Sequence, residues 1–159
     1  MRSIVPVITV CLLAAPEGAD AQARRQGPEQ KTVPVTVELK VGAEVVQSSG
    51  AGRCTHAPAA SIYDVRAQMW TAAYEANGKP VQLTFWRPTD KSADMFGLQA
   101  GHVNISTVRG GTPSGSGTVT FEPAGKGGIF KIQAKAADGT TIAGSIKCEG
   151  FLVHVAEGG

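Results

Sequence analysis

Residues 69–86 read MWTAAYEANGKPVQLTFW, with Asn77-Gly78 between two runs of mostly apolar residues. An Asn-Gly pair in this setting is a strong signal for a two-residue type I′ turn, which fixes the residues that lie opposite each other. One face then carries the pairs Tyr74 with Val81, Ala72 with Leu83, and Trp70 with Phe85. The other face carries Thr71 with Thr84, Ala73 with Gln82, and Met69 with Trp86. Because the first face is wholly apolar and the second is mixed, the segment predicts a half-buried antiparallel hairpin.

The first half of this segment also allows a helix. Ser61 followed by Asp64 resembles a helix N-cap, and apolar residues at helical spacing continue to Ala76. An α+β fold with one helix over about 61–76 is therefore an alternative. We favour the hairpin because a single assumption about the turn places both strands on consistent faces.

Alternating apolar and polar residues predict further strands on both sides of the hairpin. The clearest is VPVTVELKV at 33–41, where the valines and the leucine share one face. Other strands are predicted within 43–49, 102–110, 118–123, 128–136, 141–148 and 151–155. The longest irregular stretches are expected at Gly50–Ser61, Arg87–Gly101 and Gly110–Gly117.

Seven to nine short strands, in a chain with 20 glycines and 9 prolines, are typical of an all-β fold. We predict an antiparallel β-sandwich, with an open β-barrel as the alternative. Asp138-Gly139 marks a second hairpin. An odd-length loop there sets Phe130 opposite Cys148 and Ile132 opposite Ile146, which separates the apolar face from the polar one.

The N-terminus has the pattern of a secretory signal. Arg2 precedes an apolar run from Ile4 to Ala15, and small residues at A-x-A spacing follow at 19–21 and 21–23. We therefore expect a signal peptide at 1–23, cleavage after Ala21 or Ala23, a flexible leader at 24–32 and a single β-sandwich domain at 33–159. The expected location is secreted or periplasmic. No later segment approaches the roughly 18 apolar residues of a membrane helix.

Cysteine usage supports the same compartment. Of the 3 cysteines, Cys11 lies inside the predicted signal peptide, which leaves Cys54 and Cys148 in the mature chain. Two cysteines in one small exported domain usually pair, so we predict a Cys54–Cys148 disulfide. Cys54 with His56 forms a Cys-x-His pair, but the compact ligand spacing of a zinc site is missing, and we predict no metal site there.

Composition and motifs exclude several classes of function. The formal net charge is +2, with both signs scattered along the chain, so there is no basic stripe for nucleic acid. The phosphate-binding, serine-hydrolase and zinc-hydrolase motifs are absent from the sequence. We expect a non-enzymatic binding or cell-envelope-associated module without a cofactor. The alternatives are a small secreted hydrolase of unrecognised pattern, or a copper-handling module using His56, His102, Met69 or Met95.

The candidate ligand-binding residues are Trp86, Arg87 and His56. Trp86 falls on the mixed face of the hairpin next to Arg87, and an exposed tryptophan beside a cation suits stacking on a flat ligand. If the segments around His56 and Arg87 share one end of the fold, the three residues form a shallow patch. Its ligand is an unknown small molecule, glycan or protein, and the low charge favours a sugar or peptide over a phosphate.

Overall fold

The computed structural model describes residues 31–110 and 113–154, and within these ranges the chain forms β-strands and no helix. The strands are β1 Val33–Val41, β2 Glu44–Ile62, β3 Val65–Ala76, β4 Lys79–Pro88, β5 Met95–Ala100, β6 Val103–Ser106, β7 Gly115–Ala124, β8 Gly127–Ala136, β9 Thr141–Cys148 and β10 Leu152–Val153. The helix considered for 61–76 is wrong, because that segment holds the end of β2, a turn and β3. The predicted signal peptide at 1–23 and most of the leader at 24–32 lie outside the described residues.

The hairpin predicted from Asn77-Gly78 is confirmed as β3 and β4. All six predicted cross-strand pairs are present in the register of these strands. Asn77 and Gly78 have φ angles of 52° and 75°, as a type I′ turn requires at both central positions. Side chains of the apolar face, such as Trp70, Leu83 and Phe85, are buried in the core.

The strands form one antiparallel sheet that curls into a nearly closed barrel. Their order is β6-β5-β4-β3-β2-β1-β9-β8-β7, and β10 adds to β2 in parallel. The two ends of this order meet where the Ser114 N–H donates to the Ser106 carbonyl at 3.1 Å. The all-β antiparallel class is therefore confirmed, and the barrel alternative describes the architecture because a single sheet wraps around the core.

Strand β2 is longer than the sequence predicted. It runs for 19 residues and includes all of Gly50–Ser61, which was expected to be a loop. Gly52 continues the strand because its lack of a side chain is needed for packing: a Cβ there would lie 2.7 Å from Val35 Cγ2. The other two expected loops are also shorter than predicted, since Arg87–Gly101 contains β5 and Gly110–Gly117 contains the start of β7.

The hairpin at Asp138-Gly139 has the predicted faces but a different register. Phe130 lies opposite Ile146, and Ile132 lies opposite Gly144, a shift of two positions from the predicted pairs. The cause is a tighter loop, closed by the Ala136 N–H donating to the Thr140 carbonyl at 2.8 Å. Apolar and polar faces stay separate because a two-residue shift preserves strand alternation.

The barrel interior is apolar. Its largest fully buried side chains are Phe85, Phe96, Phe130, Leu39, Leu83, Ile105, Ile132, Ile142 and Ile146. The predicted disulfide is confirmed in the structure, where Cys54 of β2 and Cys148 of β9 are bonded and both are fully buried. This bond joins strands 94 positions apart in the chain, on either side of the first residues of β1.

Candidate ligand-binding end of the barrel

We call the end of the barrel at which β3 begins and β4 ends the upper end. The strands there do not all reach the same height. There β1 begins with Val33 opposite Gly52, and β9 ends at Cys148 opposite Val35. Strand β2, in contrast, continues to Ile62, paired with β3. The inward face of β2, β3 and β4 therefore extends beyond the shorter strands, and its side chains form the upper rim.

His56 and Trp70 lie directly opposite each other on this inward face, on β2 and β3. Their rings stack with centroids 4.6 Å apart and planes 7° apart. Trp70 is buried and also packs against Phe85 and Phe121, at centroid distances of 5.7 Å and 4.9 Å. His56 is half-buried, so it forms the boundary between the aromatic core and the solvent.

Arg87 lies on the same face as Phe85, two positions further along β4. Its Cζ is 5.4 Å from the centroid of Phe85 and 5.9 Å from that of Trp70, within the range of a cation–π contact. The Nε and Nη2 groups of Arg87 donate to Asp94 Oδ2 at 3.3 Å and 3.2 Å. Asp94 thus orients the guanidinium over the rings and balances its charge, while both side chains stay partly exposed.

The imidazole of His56 is partly shielded from solvent. Its Nε2 atom is buried and has no hydrogen-bond partner among the described residues. Burial lowers the pKa of His56 below its ordinary value of 6.5, because desolvation disfavours the charged imidazolium. The ring is therefore neutral at pH 7 and offers polar nitrogen atoms without adding positive charge.

Three phenylalanines complete the aromatic group at this end. Phe121 of β7, Phe130 of β8 and Phe151 before β10 have ring centroids 5.0 to 6.2 Å apart. Phe121 lies over the backbone of Gly128, where a Cβ would come within 2.2 Å of its ring. Gly128 therefore permits a contact that no other residue would allow without displacing Phe121.

The structure brings together two of the three predicted ligand-binding residues. His56 and Arg87 both contact or approach Trp70 on the inward face. Trp86 points to the outer face, paired with Met69 and Met95, and is half-buried. The alternation of β4 explains this, because Arg87 shares a face with Phe85 and not with its sequence neighbour Trp86. The aromatic partner is Trp70, which the predicted register had already placed on the apolar face.

The residues considered for copper do not come together. Met69 and Met95 lie on the outer face, whereas His56 faces inward. His102 lies at the opposite end of the barrel, near Glu44 and Lys79. Among the described residues there is no group of three or more histidine, cysteine or acidic side chains placed to hold a metal.

An open groove of about 610 Å³ lies next to the upper end, at the tip of the β2–β3 hairpin. It is lined by Pro58–Ser61, Arg66, Ala67 and Thr89. The backbone of β2 is irregular between Ala57 and Ala60, where its pairing with β3 shifts. The groove enlarges the surface that a ligand at this end of the barrel could contact.

Comparison with known proteins gives no family model, curated protein or solved structure that matches this chain. In the part of the chain that the structure describes, no helix has the length and apolar character needed to cross a membrane. The functional argument therefore depends on the geometry of the upper end.

Proposed function

We propose that this protein is an exported, non-enzymatic binding module whose ligand site is the upper end of the barrel. The observation that carries the proposal is the placement of His56 and Arg87 around Trp70 on the extended inward face. Trp70 itself is buried, so the groups that a ligand would meet are the half-buried His56 ring and the exposed Arg87 guanidinium that pack against it. A few polar groups held in place on an apolar base are a common way of orienting a bound ligand.

The charge of the site favours an uncharged ligand. Arg87 is paired with Asp94, and the lowered pKa of His56 keeps that ring neutral at pH 7. The site therefore carries little net positive charge, which makes it a poor match for a phosphate group. A neutral glycan or an uncharged peptide segment is the ligand class we propose.

Export is the second part of the proposal. It is supported by the signal-like pattern of residues 1–23 and by a fully buried disulfide, since disulfides persist in oxidising compartments. N-terminal sequencing of the protein recovered from the periplasm or culture medium should give Gln22 or Arg24 as the first residue. Recovery of a chain that still begins at Met1 would contradict cleavage and export.

Ligand binding is tested with the wild-type protein and an Arg87→Gln variant. A panel of neutral oligosaccharides and uncharged tripeptides is screened, and dissociation constants of any binders are measured by calorimetry. Arg87→Gln keeps the aliphatic stem but removes the charge and both hydrogen bonds to Asp94 Oδ2, so we expect affinity to fall at least tenfold.

The matched control is Lys131→Gln, which removes an exposed cation on the outer face of β8, where Lys131 pairs with Glu122. We expect it to bind like the wild type. Binders that lose no affinity in Arg87→Gln, or that lose it equally in both variants, would show that the upper end is not the ligand site.

A further inference from the structure

The segment after β9 crosses the upper end of the barrel. We call residues 149–154 the C-terminal strap. It leaves Cys148, which is fixed by the disulfide, and the Glu149 N–H donates to the Pro34 carbonyl at 3.0 Å. The strap then pairs with β2 in parallel over only two positions, Leu152 with Thr55 and Val153 with His56. A last backbone bond joins the His154 N–H to the His56 carbonyl at 3.0 Å.

Phe151 is the part of the strap that enters the aromatic group. Its ring meets His56, Phe121 and Phe130 edge-on, at centroid distances of 6.4, 5.9 and 6.2 Å. It is half-buried and packs against the main core. One aromatic side chain of the strap therefore fills a socket formed by His56 of β2, Phe121 of β7 and Phe130 of β8.

The strap is held weakly compared with the other strands. Its pairing covers two residues, whereas β1 pairs with β2 over nine positions. Val153 is 86% exposed, so it contributes little burial. Beyond the strap, the edge of β2 from Ala57 to Ile62 has no strand paired on that side within the described residues. Strand edges of this kind can pair with an added strand.

We propose that the upper end binds an extended peptide segment of a partner protein, which pairs with β2 in place of the strap and inserts an aromatic side chain into the Phe151 socket. This inference rests on the proposed function and names its partner class. It uses strand addition, in which backbone hydrogen bonds give affinity and alternate side chains give specificity. The strap itself shows which peptide fits: an uncharged segment with an aromatic residue followed by aliphatic ones.

Competition between strap and peptide makes the inference testable in the full-length protein. The apparent affinity for a peptide equals the intrinsic affinity multiplied by the fraction of molecules in which the strap is open. The probe is a capped peptide with the sequence of residues 150–154, GFLVH. Its control is the same peptide with alanine in place of phenylalanine.

The first variant is Phe151→Ala, which empties the socket and weakens the strap. We expect calorimetry to show at least tenfold tighter binding of GFLVH to this variant than to the wild type, and no measurable binding of the alanine peptide. Val153→Ala is the matched control, because Val153 is exposed, and it should bind like the wild type.

The second variant is His154→Pro, which removes the N–H bonded to the His56 carbonyl but leaves Phe151 and the three rings of its socket in place. It should bind GFLVH severalfold more tightly than the wild type. This variant decides the question if Phe151→Ala fails to fold, as judged by near-ultraviolet circular dichroism. Equal affinity of wild type and His154→Pro, or equal binding of both peptides, would overturn the inference.

Two outcomes separate this inference from the proposed function. One outcome is that sugars or tripeptides bind in an Arg87-dependent manner but GFLVH does not bind. This would overturn strand replacement, while the upper end would remain the ligand-binding site. The other possible occupant of the socket is the strap of a second copy of this chain, which sedimentation velocity tests. A wild-type dimer that Phe151→Ala abolishes would mean that the strap exchanges between two copies. The partner peptide would then be rejected.

Discussion

At the scale of single residues, His56 links the core to the proposed site. It stacks on the buried Trp70 with one face, and its Nε2 atom is buried without a partner in the described part of the chain. A buried polar atom in this state costs about 1–3 kcal/mol. Arg87, in contrast, has its guanidinium oriented by Asp94 over two rings. The rim thus combines one polar group that lacks a hydrogen-bond partner among the described residues with one that is well oriented.

The position of His56 predicts how stability depends on pH. Burial lowers its pKa in the folded protein below the ordinary 6.5, so the unfolded chain binds a proton more readily. The stabilising contribution of the neutral ring is therefore present above about pH 6.5 and is lost as the pH falls towards the lowered pKa of the folded state. The free energy of unfolding should decrease between pH 7.5 and pH 5.

The change that isolates this effect is His56→Phe, which keeps an aromatic ring on Trp70 and cannot be protonated. Urea unfolding at pH 7.5 and pH 5 should show a smaller loss of stability for His56→Phe than for the wild type. Lys131→Gln, an exposed control, should lose as much as the wild type. Identical losses in the wild type and His56→Phe would mean that burial of His56 does not affect the folding equilibrium.

At the scale of strands and turns, local chemistry explains what could be predicted. Asn77-Gly78 specifies one turn type, and that turn determined the whole β3–β4 register correctly. Asp138-Gly139 is compatible with several loop lengths, so its faces were correct but its register was shifted by two. Gly52 fell in a stretch that was expected to be irregular, yet its small size permits contact with Val35 on another strand, which is not visible from local sequence.

Local sequence also explains which part of the candidate site could be predicted. Arg87 was identified because it follows Trp86 in the sequence, and His56 because its segment was expected to share one end of the fold with Arg87. Strand alternation could have shown that Arg87 shares a face with Phe85 and therefore with Trp70. The contribution of Phe121 and Phe151 could not be predicted, because it depends on how distant strands meet when the sheet closes.

At the scale of the whole molecule, stability and ligand binding depend on different parts of the barrel. Apolar side chains occupy the interior, and the disulfide between strands 94 positions apart adds about 4 to 5 kcal/mol in the chain-entropy model. Binding therefore has to use the ends or outer faces of the barrel. Only the upper end, among the surfaces formed by the described residues, places an oriented cation and a neutral histidine around a buried tryptophan.

The central claim is that ligands bind at the upper end, and nuclear magnetic resonance tests it most directly. The ¹⁵N-labelled wild-type protein is titrated with the neutral sugars and tripeptides of the binding screen, and amide shifts are mapped onto the barrel. We predict that the largest changes cluster at His56, Trp70, Arg87 and Asp94 and in the C-terminal strap. Changes centred on the opposite end, around Glu44, Lys79 and His102, would contradict the account.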